Sequence, residues 1–513
     1  MFKKINKMLF SRNFAMAMLV LFQMVLLVGV ILRLTEYFVY LYAVFMIISL
    51  VMVIIIVNRT DNPAYKLTWI IFISIFPLVG GISYLLFGGK QVTTNFRKKV
   101  QTVMDQTLDL ARQDQQILDE LEAQDKSIYN QANYIYRHSL SPIYKNTETE
   151  FLPSGEIYFE RLKEELRKAK HFIFMEYFIV DQGSMWDEIV EIMAEKAQAG
   201  LDVRMMYDDG GTILLLPFKY NEYLESFGIK TVIFNKMKPI LSMRMNNRDH
   251  RKISVIDGYV GFTGGVNLAD EYINKIERFG HWKDAGICLK GDAVWNLTMM
   301  FLQIWNFATN TYETDFDKYK PHTYYKEAFA NDGYVQPYGD SPLDDEIVGE
   351  NVYLNIINRA KDYVYISTPY LIIDNELVTA LTLAAKSGVD IRIMTPHIED
   401  KWYAHTLTRS HYGQLILAGV KIYEYTPGFV HSKTFVSDDE IGVVGTINMD
   451  YRSLYLHFEC AVWLYKSKAV LQIKDDFLQS LEVCQEIYLE DTYNVKLATR
   501  IIRALLKILA PIM

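Results

Sequence analysis

Cysteine is almost missing: 513 residues hold only Cys288, Cys460 and Cys484, far apart and without a C-x-x-C pair. That excludes a disulfide framework and a cysteine-built zinc site, and it suits a reducing compartment. No G-x-x-x-x-G-K-[ST], G-x-G-x-x-G or H-E-x-x-H occurs, so nucleotide-cradling and zinc-hydrolase chemistry lack their residues. Charge is sparse and of the wrong sign for nucleic acid: 22% of residues are charged, 53 basic against 61 acidic, net −8. With half the residues apolar, this excludes both a basic nucleic-acid-binding surface and a disordered tail.

Three stretches lack charge altogether: 14–32, 37–57 and 67–87. About 20 residues at 1.5 Å each cover the ~30 Å apolar layer of a bilayer, so region 14–89 reads as transmembrane helices behind a basic tail, 1–13. No small-residue cleavage pattern makes the first run a signal peptide. Basic residues flank both ends, Lys3, Lys4, Lys7 and Arg12 before and Lys90, Arg97, Lys98 and Lys99 after. The positive-inside rule wants both flanks in the cytoplasm, which three full crossings cannot satisfy. One segment is then re-entrant or in-plane, or one flank breaks the rule. Pro77, Gly80 and Gly81 could break the third run.

After a polar, helical connector over 90–150, the chain repeats itself. Ala169-Lys170 followed by HFIFMEYF parallels Ala360-Lys361 followed by DYVYISTPY, and AGLDVRMMYD parallels SGVDIRIMTP. Amphipathic stretches such as 157–168 and 186–199 alternate with short β-branched and aromatic runs, which predicts two similar α/β halves, 151–325 and 326–490.

Each half carries one H-x-K-x-x-x-x-D: His250, Lys252 and Asp257, then His431, Lys433 and Asp438. Gly264 and Asn267 follow the first histidine at the same spacing as Gly445 and Asn448 follow the second. One such match is weak, at roughly 0.1 expected by chance per chain; two in register are strong. On a strand, His and Lys two apart share a face. Lysine suits the non-bridging oxygens of a phosphate, and histidine serves as nucleophile or as acid/base near neutral pH. Two copies allow one histidine to form a phosphohistidine while the other protonates the departing alcohol and deprotonates the incoming one, without a metal. Water as acceptor would make the same residues a phosphodiesterase. Asn267 and Asn448 are candidate donors to phosphate oxygens. Asp257 and Asp438 complete the motif as structural or orienting groups, not proton carriers, because Asp257-Gly258 is also a type I′ hairpin signal.

These blocks resemble the phospholipase D superfamily and, within it, the bacterial cardiolipin synthases. NPAYKLTWIIFISIFPLVGGISYLLFG is similar to that family's membrane hairpin; NRDHRK with GFTGGVN, and HSK with VGT-x-N-x-D-x-R-S, are similar to its two active-site blocks. The resemblance runs from about Tyr37 to the C-terminus. It implies N-terminal transmembrane helices, then two phospholipase-D-like α/β/α halves with the active site between them. It implies a multi-pass phosphatidyltransferase of the bacterial cell membrane with a cytoplasmic catalytic domain, turning two phosphatidylglycerols into cardiolipin and glycerol, with no cofactor. By family pattern Asp284 in HWKD and Glu459 in HFE orient the two histidines, His250 attacks and His431 is the acid/base. Thr446 and Ser453 are weaker candidates as hydroxyl donors to the phosphate. Two features depart from the pattern: His457 stands where the family usually carries Asn, and run 14–32 is extra to its usual two spans. The D-G-x-x-A-R signature of the metal-dependent, CDP-lipid route is absent.

Positive charge is clustered against the net −8. Lys236, Lys238, Arg244, Arg248, Arg251 and Lys252, interleaved with Met237, Ile240, Leu241, Met243 and Met245, read as a basic, apolar rim for lipid headgroups. Over 491–513, Lys496, Arg500, Arg503 and Lys507 form one stripe of an otherwise apolar helix, an in-plane membrane element.

Overall fold

The runs FIFMEY and YVYIS carry few polar residues, as strands covered on both faces do, and both are wholly buried within sheets. The computed structural model describes residues 38–88, 94–237 and 246–512 except 312, 314, 344 and 345, together with 21, 25, 28 and 29. Apart from residues 21, 25, 28 and 29, the expected span 14–32 lies outside the described residues, as do all of rim residues 238–245.

The first half holds β1 (Thr147–Leu152), β2 (Phe172–Tyr177), β3 (Asp202–Asp208), β4 (Lys230–Phe234), β5 (Ile253–Ile256), β6 (Val260–Gly264), β7 (His281–Lys283) and β8 (Gly286–Gly291). Seven of them form a sheet in the order β1-β8-β6-β5-β2-β3-β4, in which only the β2–β3 and β3–β4 pairs are parallel.

The second half holds β9 (Tyr334–Asp340), β10 (Tyr363–Ser367), β11 (Leu371–Ile372), β12 (Asp390–Pro396), β13 (Lys421–Tyr425), β14 (Gly428–Val430), β15 (Thr434–Ser437), β16 (Ile441–Gly445), β17 (Met449–Asp450), β18 (Glu459–Tyr465) and β19 (Cys484–Ile487). Its main sheet, β9-β18-β16-β15-β10-β12-β13, repeats the order and directions of the first and adds β19 at the edge. The expected duplication is present strand for strand.

Helices Gly155–Lys168 and Ser184–Gln198 in one half, and Val348–Arg359 and Asn375–Lys386 in the other, cover the outer faces. Ser154 and Asp374 cap two of them, accepting from the N–H of Ile157 and Leu377. Val255, Ile287 and Leu289 share one core with Val436, Val444 and Val462, so the inner faces of the two sheets are packed together. The connector is no spacer: Leu118, Leu121, Ile128 and Ile135 belong to the second half's core. β1 starts at Thr147, four residues before the expected domain boundary.

Helix Phe38–Val57 is uncharged throughout. The third apolar run is two helices, Pro63–Ile75 and Pro77–Phe87, broken at Phe76. They fold back closely: a Cβ on Gly80 would lie 2.7 Å from Ile73 Cα. At 1.5 Å per residue each is only about 17–20 Å long. Among the described residues no helix is long and apolar enough to cross a membrane, the described side chains of the first helix being continuous only from residue 43. The C-terminal helix, Leu497–Leu509, docks through Leu506 against Leu407 and Tyr451, while Leu497, Ile501, Ile502, Leu505 and Ile508 face outwards.

Candidate active site

Each motif histidine is delivered by a segment that pairs with the other half. The His250 N–H donates to the Phe458 carbonyl (2.9 Å), and the Phe458 N–H to that of Arg248 (2.9 Å). In the mirror arrangement β14 pairs in parallel with β7, and the His431 N–H donates to Lys283 O (2.7 Å). The residue after each partner segment is a carboxylate, so the orientation is crossed. His250 Nδ1 lies 2.8 and 3.0 Å from the Glu459 oxygens, and His431 Nδ1 lies 2.7 Å from Asp284 Oδ2. With Nδ1 engaged, Nε2 of each ring is left to react. Both histidines line one cavity of about 820 Å³ between the halves.

Lys252 Nζ donates to the His250 carbonyl at 2.6 Å, and Lys433 Nζ to that of His431. Burial pulls the ammonium of Lys252 down to about 8 and that of Lys433 to about 7. Burial and Lys433 lower His431 to about 4 against the pull of Asp284. Burial with Lys252, His457 and Lys433 holds His250 well below the ordinary imidazole range. Without an anion the site thus disfavours positive charge, and a phosphate entering it relieves that cost.

The two carboxylates differ. Burial pushes Glu459 up to about 8, opposed by Lys252 and the Thr446 hydroxyl, which donates to it. Burial acts on Asp284 too, but His431, Lys433 and the Ala285 N–H outweigh it and hold its carboxyl below the usual range. Gly265 makes room for this pair, since a Cβ there would lie 2.0 Å from Asp284 Oδ1 and 2.8 Å from His431 O.

The motif aspartates are not in the cavity wall. Asp257 accepts from the N–H groups of Lys170, His171 and Phe172 (2.8, 2.8 and 2.9 Å), and Asp438 from those of Lys361, Asp362 and Tyr363 (2.8, 3.0 and 3.0 Å). Both sit at positive φ, Asp257 at 50° before Gly258 at 77°, and Asp438 at 53° before Asp439 at 58°. These are the tight turns β5–β6 and β15–β16, each latched to the start of a central strand.

Asn267 and Asn448 both line the cavity. Asn267 is largely engaged by the protein, its oxygen accepting from the Ile179 N–H (3.0 Å) and its nitrogen donating to Tyr272 OH (2.8 Å). Asn448 Oδ1 is buried without a partner. Thr446 serves Glu459 in place of a phosphate, and Ser453, which also acts on that carboxyl, lines the cavity. One rim candidate is also corrected: buried Arg251 ion-pairs with Glu176 (2.7 Å) and Asp249 (3.1 Å), whereas Arg248, paired with Asp208 (3.0 Å), still lines the cavity.

Aromatic contacts escaped the sequence reading. Phe178 packs edge-on to His250, with centroids 5.0 Å apart, and Tyr272 and Trp282 lie at 5.4 and 5.2 Å from His431. Trp282 Nε1 donates to Asp284 (3.3 Å) from two residues upstream. His457 holds the same offset from Glu459, but its Nδ1 is 3.8 Å away and neither ring nitrogen has a hydrogen-bond partner. That spacing was the available signal. Among the described residues His250, His457 and Glu459 bring ligand atoms within 4.8 Å of one another, a group that could hold a metal ion, although His250 and Glu459 are already bonded together.

Residues 353–481 match the family model described as cardiolipin synthase, PLD-like domain, and residues 44–89 match the phospholipase D-nuclease N-terminal model. A cardiolipin synthase of Halalkalibacterium halodurans is 36% identical over 90% of this chain and 91% of its own length. The chain belongs to the cardiolipin synthase family of phospholipase-D-like proteins. An uncharacterized protein of Streptococcus mutans is 44% identical over 90% of this chain and 99% of its own length. The crystal structure of a phosphatidylserine synthase from Haemophilus influenzae, 13% identical, superposes with a TM-score of 0.55 over 75% of this chain and 97% of its own, which shows the shared fold.

Proposed function

We propose that this chain is a phosphatidyltransferase that makes cardiolipin and glycerol from two molecules of phosphatidylglycerol. The crossed pairing carries the reading: two imidazoles, each aimed by the other half's carboxylate, line one cavity, with the buried Lys252 and Lys433 beside them. Lys252 and Lys433 bind the phosphoryl oxygens of the first lipid, and His250 Nε2 attacks phosphorus. His431 gives its proton to the departing glycerol oxygen, leaving phosphatidyl on His250. It then takes the proton of the second lipid's headgroup hydroxyl, which attacks the phosphohistidine and frees His250. Asp284, held ionised, supports the imidazolium this acid requires; Glu459, pushed up, supports it less and leaves His250 the neutral ring a nucleophile must be.

The named relatives and the outward apolar side chains favour a bacterial membrane setting. Val44, Ile47, Leu50, Val51, Ile54 and Ile55 are exposed on helix Phe38–Val57. We assign helix Phe38–Val57 and the hairpin 63–87 as membrane-embedded, and the C-terminal helix as lying in the membrane surface, apolar face down. By the positive-inside rule the basic flank that follows them and the catalytic halves lie on the cytoplasmic side. Purified full-length protein given phosphatidylglycerol vesicles should release cardiolipin and glycerol in equal amounts. Phosphatidic acid without cardiolipin would assign hydrolysis instead.

A further inference from the structure

Beside the phosphoryl-transfer cavity lies a second one of about 350 Å³. Its walls are mostly apolar: Trp69 and Phe72 of helix Pro63–Ile75, Leu456 behind the second motif, and Pro511 and Ile512 at the C-terminal end. Asn246 and Tyr451 stand in the walls of both cavities, so the two adjoin. The three contributing segments are fixed to one another. Asn62 Nδ2 donates to Tyr455 OH (2.8 Å) and to Asp374 Oδ2 (3.0 Å), and Thr68 Oγ1 donates to the Ile508 carbonyl (2.6 Å).

One polar atom in this apolar wall lacks an acceptor. Trp69 is 5% exposed and its Nε1 makes no hydrogen bond; the Tyr65 hydroxyl one turn earlier interacts with it without reaching hydrogen-bond geometry. A buried donor is costly unless something accepts from it. The matching ligand is apolar along most of its length, carries a neutral carbonyl near one end, and continues into a phosphate next door. An ester-linked acyl chain of a glycerophospholipid has that order of groups.

We propose that the second cavity holds an acyl chain of the donor phosphatidyl group, with Trp69 Nε1–H donating to an ester carbonyl while the phosphate lies between Lys252 and Lys433. The inference rests on the phosphatidyl-transfer reading and adds to it a chain site built jointly by the membrane-proximal hairpin and the catalytic half.

Full-length protein in vesicles of phosphatidylglycerol bearing a diazirine near the ester end of one chain, once irradiated, should carry label on Trp69, Phe72 and the 511–512 segment. Label confined to other segments would overturn the assignment. Ser83→Phe, which crowds the same cavity and leaves Trp69 in place, should lower that labelling at least several-fold; undiminished labelling would also overturn it. In turnover, the wild type should prefer diacyl phosphatidylglycerol to its diether analogue about five-fold in kcat/KM, one neutral hydrogen bond's worth, and Trp69→Phe should bring the ratio to about one. Equal use of both lipids by the wild type, or an unchanged ratio in the variant, would remove the carbonyl contact. Protein that labels at Trp69 but forms cardiolipin from neither lipid would defeat the transferase reading and leave the chain site standing.

Discussion

The two halves deliver histidine and lysine by the same backbone device but house their carboxylates differently. Asp284 has space made by Gly265, an indole N–H from Trp282, and a net shift towards the ionised form. Glu459 meets Thr446 at the position that matches Gly265, has His457 where the other half has Trp282, and is pushed up to about 8. Duplication preserved what must be symmetric, namely two imidazoles facing one cavity. The supports diverged, and a nucleophile and an acid/base need different supports.

The largest test removes the imidazoles themselves. His250→Ala and His431→Ala should each lower cardiolipin formation by at least about 10³-fold, because neither half can supply the other's role. Trapped phosphoenzyme should map to His250; label on His431 would reverse the assigned roles while keeping the two-step chemistry.

Breaking the crossed orientation comes next. Asp284→Asn should cost about 10²–10⁴-fold in kcat by removing the charge behind His431, the histidine proposed as acid/base. Glu459→Gln should cost at least ten-fold less than that, since Glu459 is the carboxyl that burial already pushes towards neutrality. Equal losses would mean that the two supports act alike.

Much of this was legible in the sequence. The repeat, the two motifs in register and the strand-helix alternation follow from periodicities of 2 and 3.6 residues, which local chemistry fixes. The crossed pairing was not: β7 with β14, and Asp249 with Phe458, join residues 147 to 209 positions apart, and no local pattern encodes such contacts. The motif aspartates illustrate the opposite case. Asp257-Gly258 announced a turn, yet its three-fold latch to residues 170–172 emerged only in the fold. The reading of Arg251 as lipid rim failed because burial beside Glu176 and Asp249 outweighs proximity to the motif.

The latches give a smaller, stability-level contrast. Asp257 is 2% exposed and Asp438 is half-buried. Losing a buried charged acceptor for three N–H groups costs more than losing a partly hydrated one, so Asp257→Ala should destabilise by about 3 kcal/mol and Asp438→Ala by about 1–2 kcal/mol. Thermal midpoints of the two variants should rank accordingly, and a reversed order would count against the latch account.

His457→Asn should have the smallest effect and tests the asymmetry most directly. Glu459, raised to about 8 chiefly by burial, is protonated below that pH and becomes the ionised support for His250 only as pH rises through it. The wild-type kcat/KM should therefore carry a shallow acid limb near pH 8, no deeper than the loss in Glu459→Gln. An asparagine amide beside Glu459 supplies the N–H that His457, at 3.8 Å, does not. It stabilises the carboxylate by about one hydrogen bond, so the limb should move about one pH unit towards acid while plateau activity changes by less than about three-fold. An unmoved limb would show that His457 does not govern the charge on Glu459.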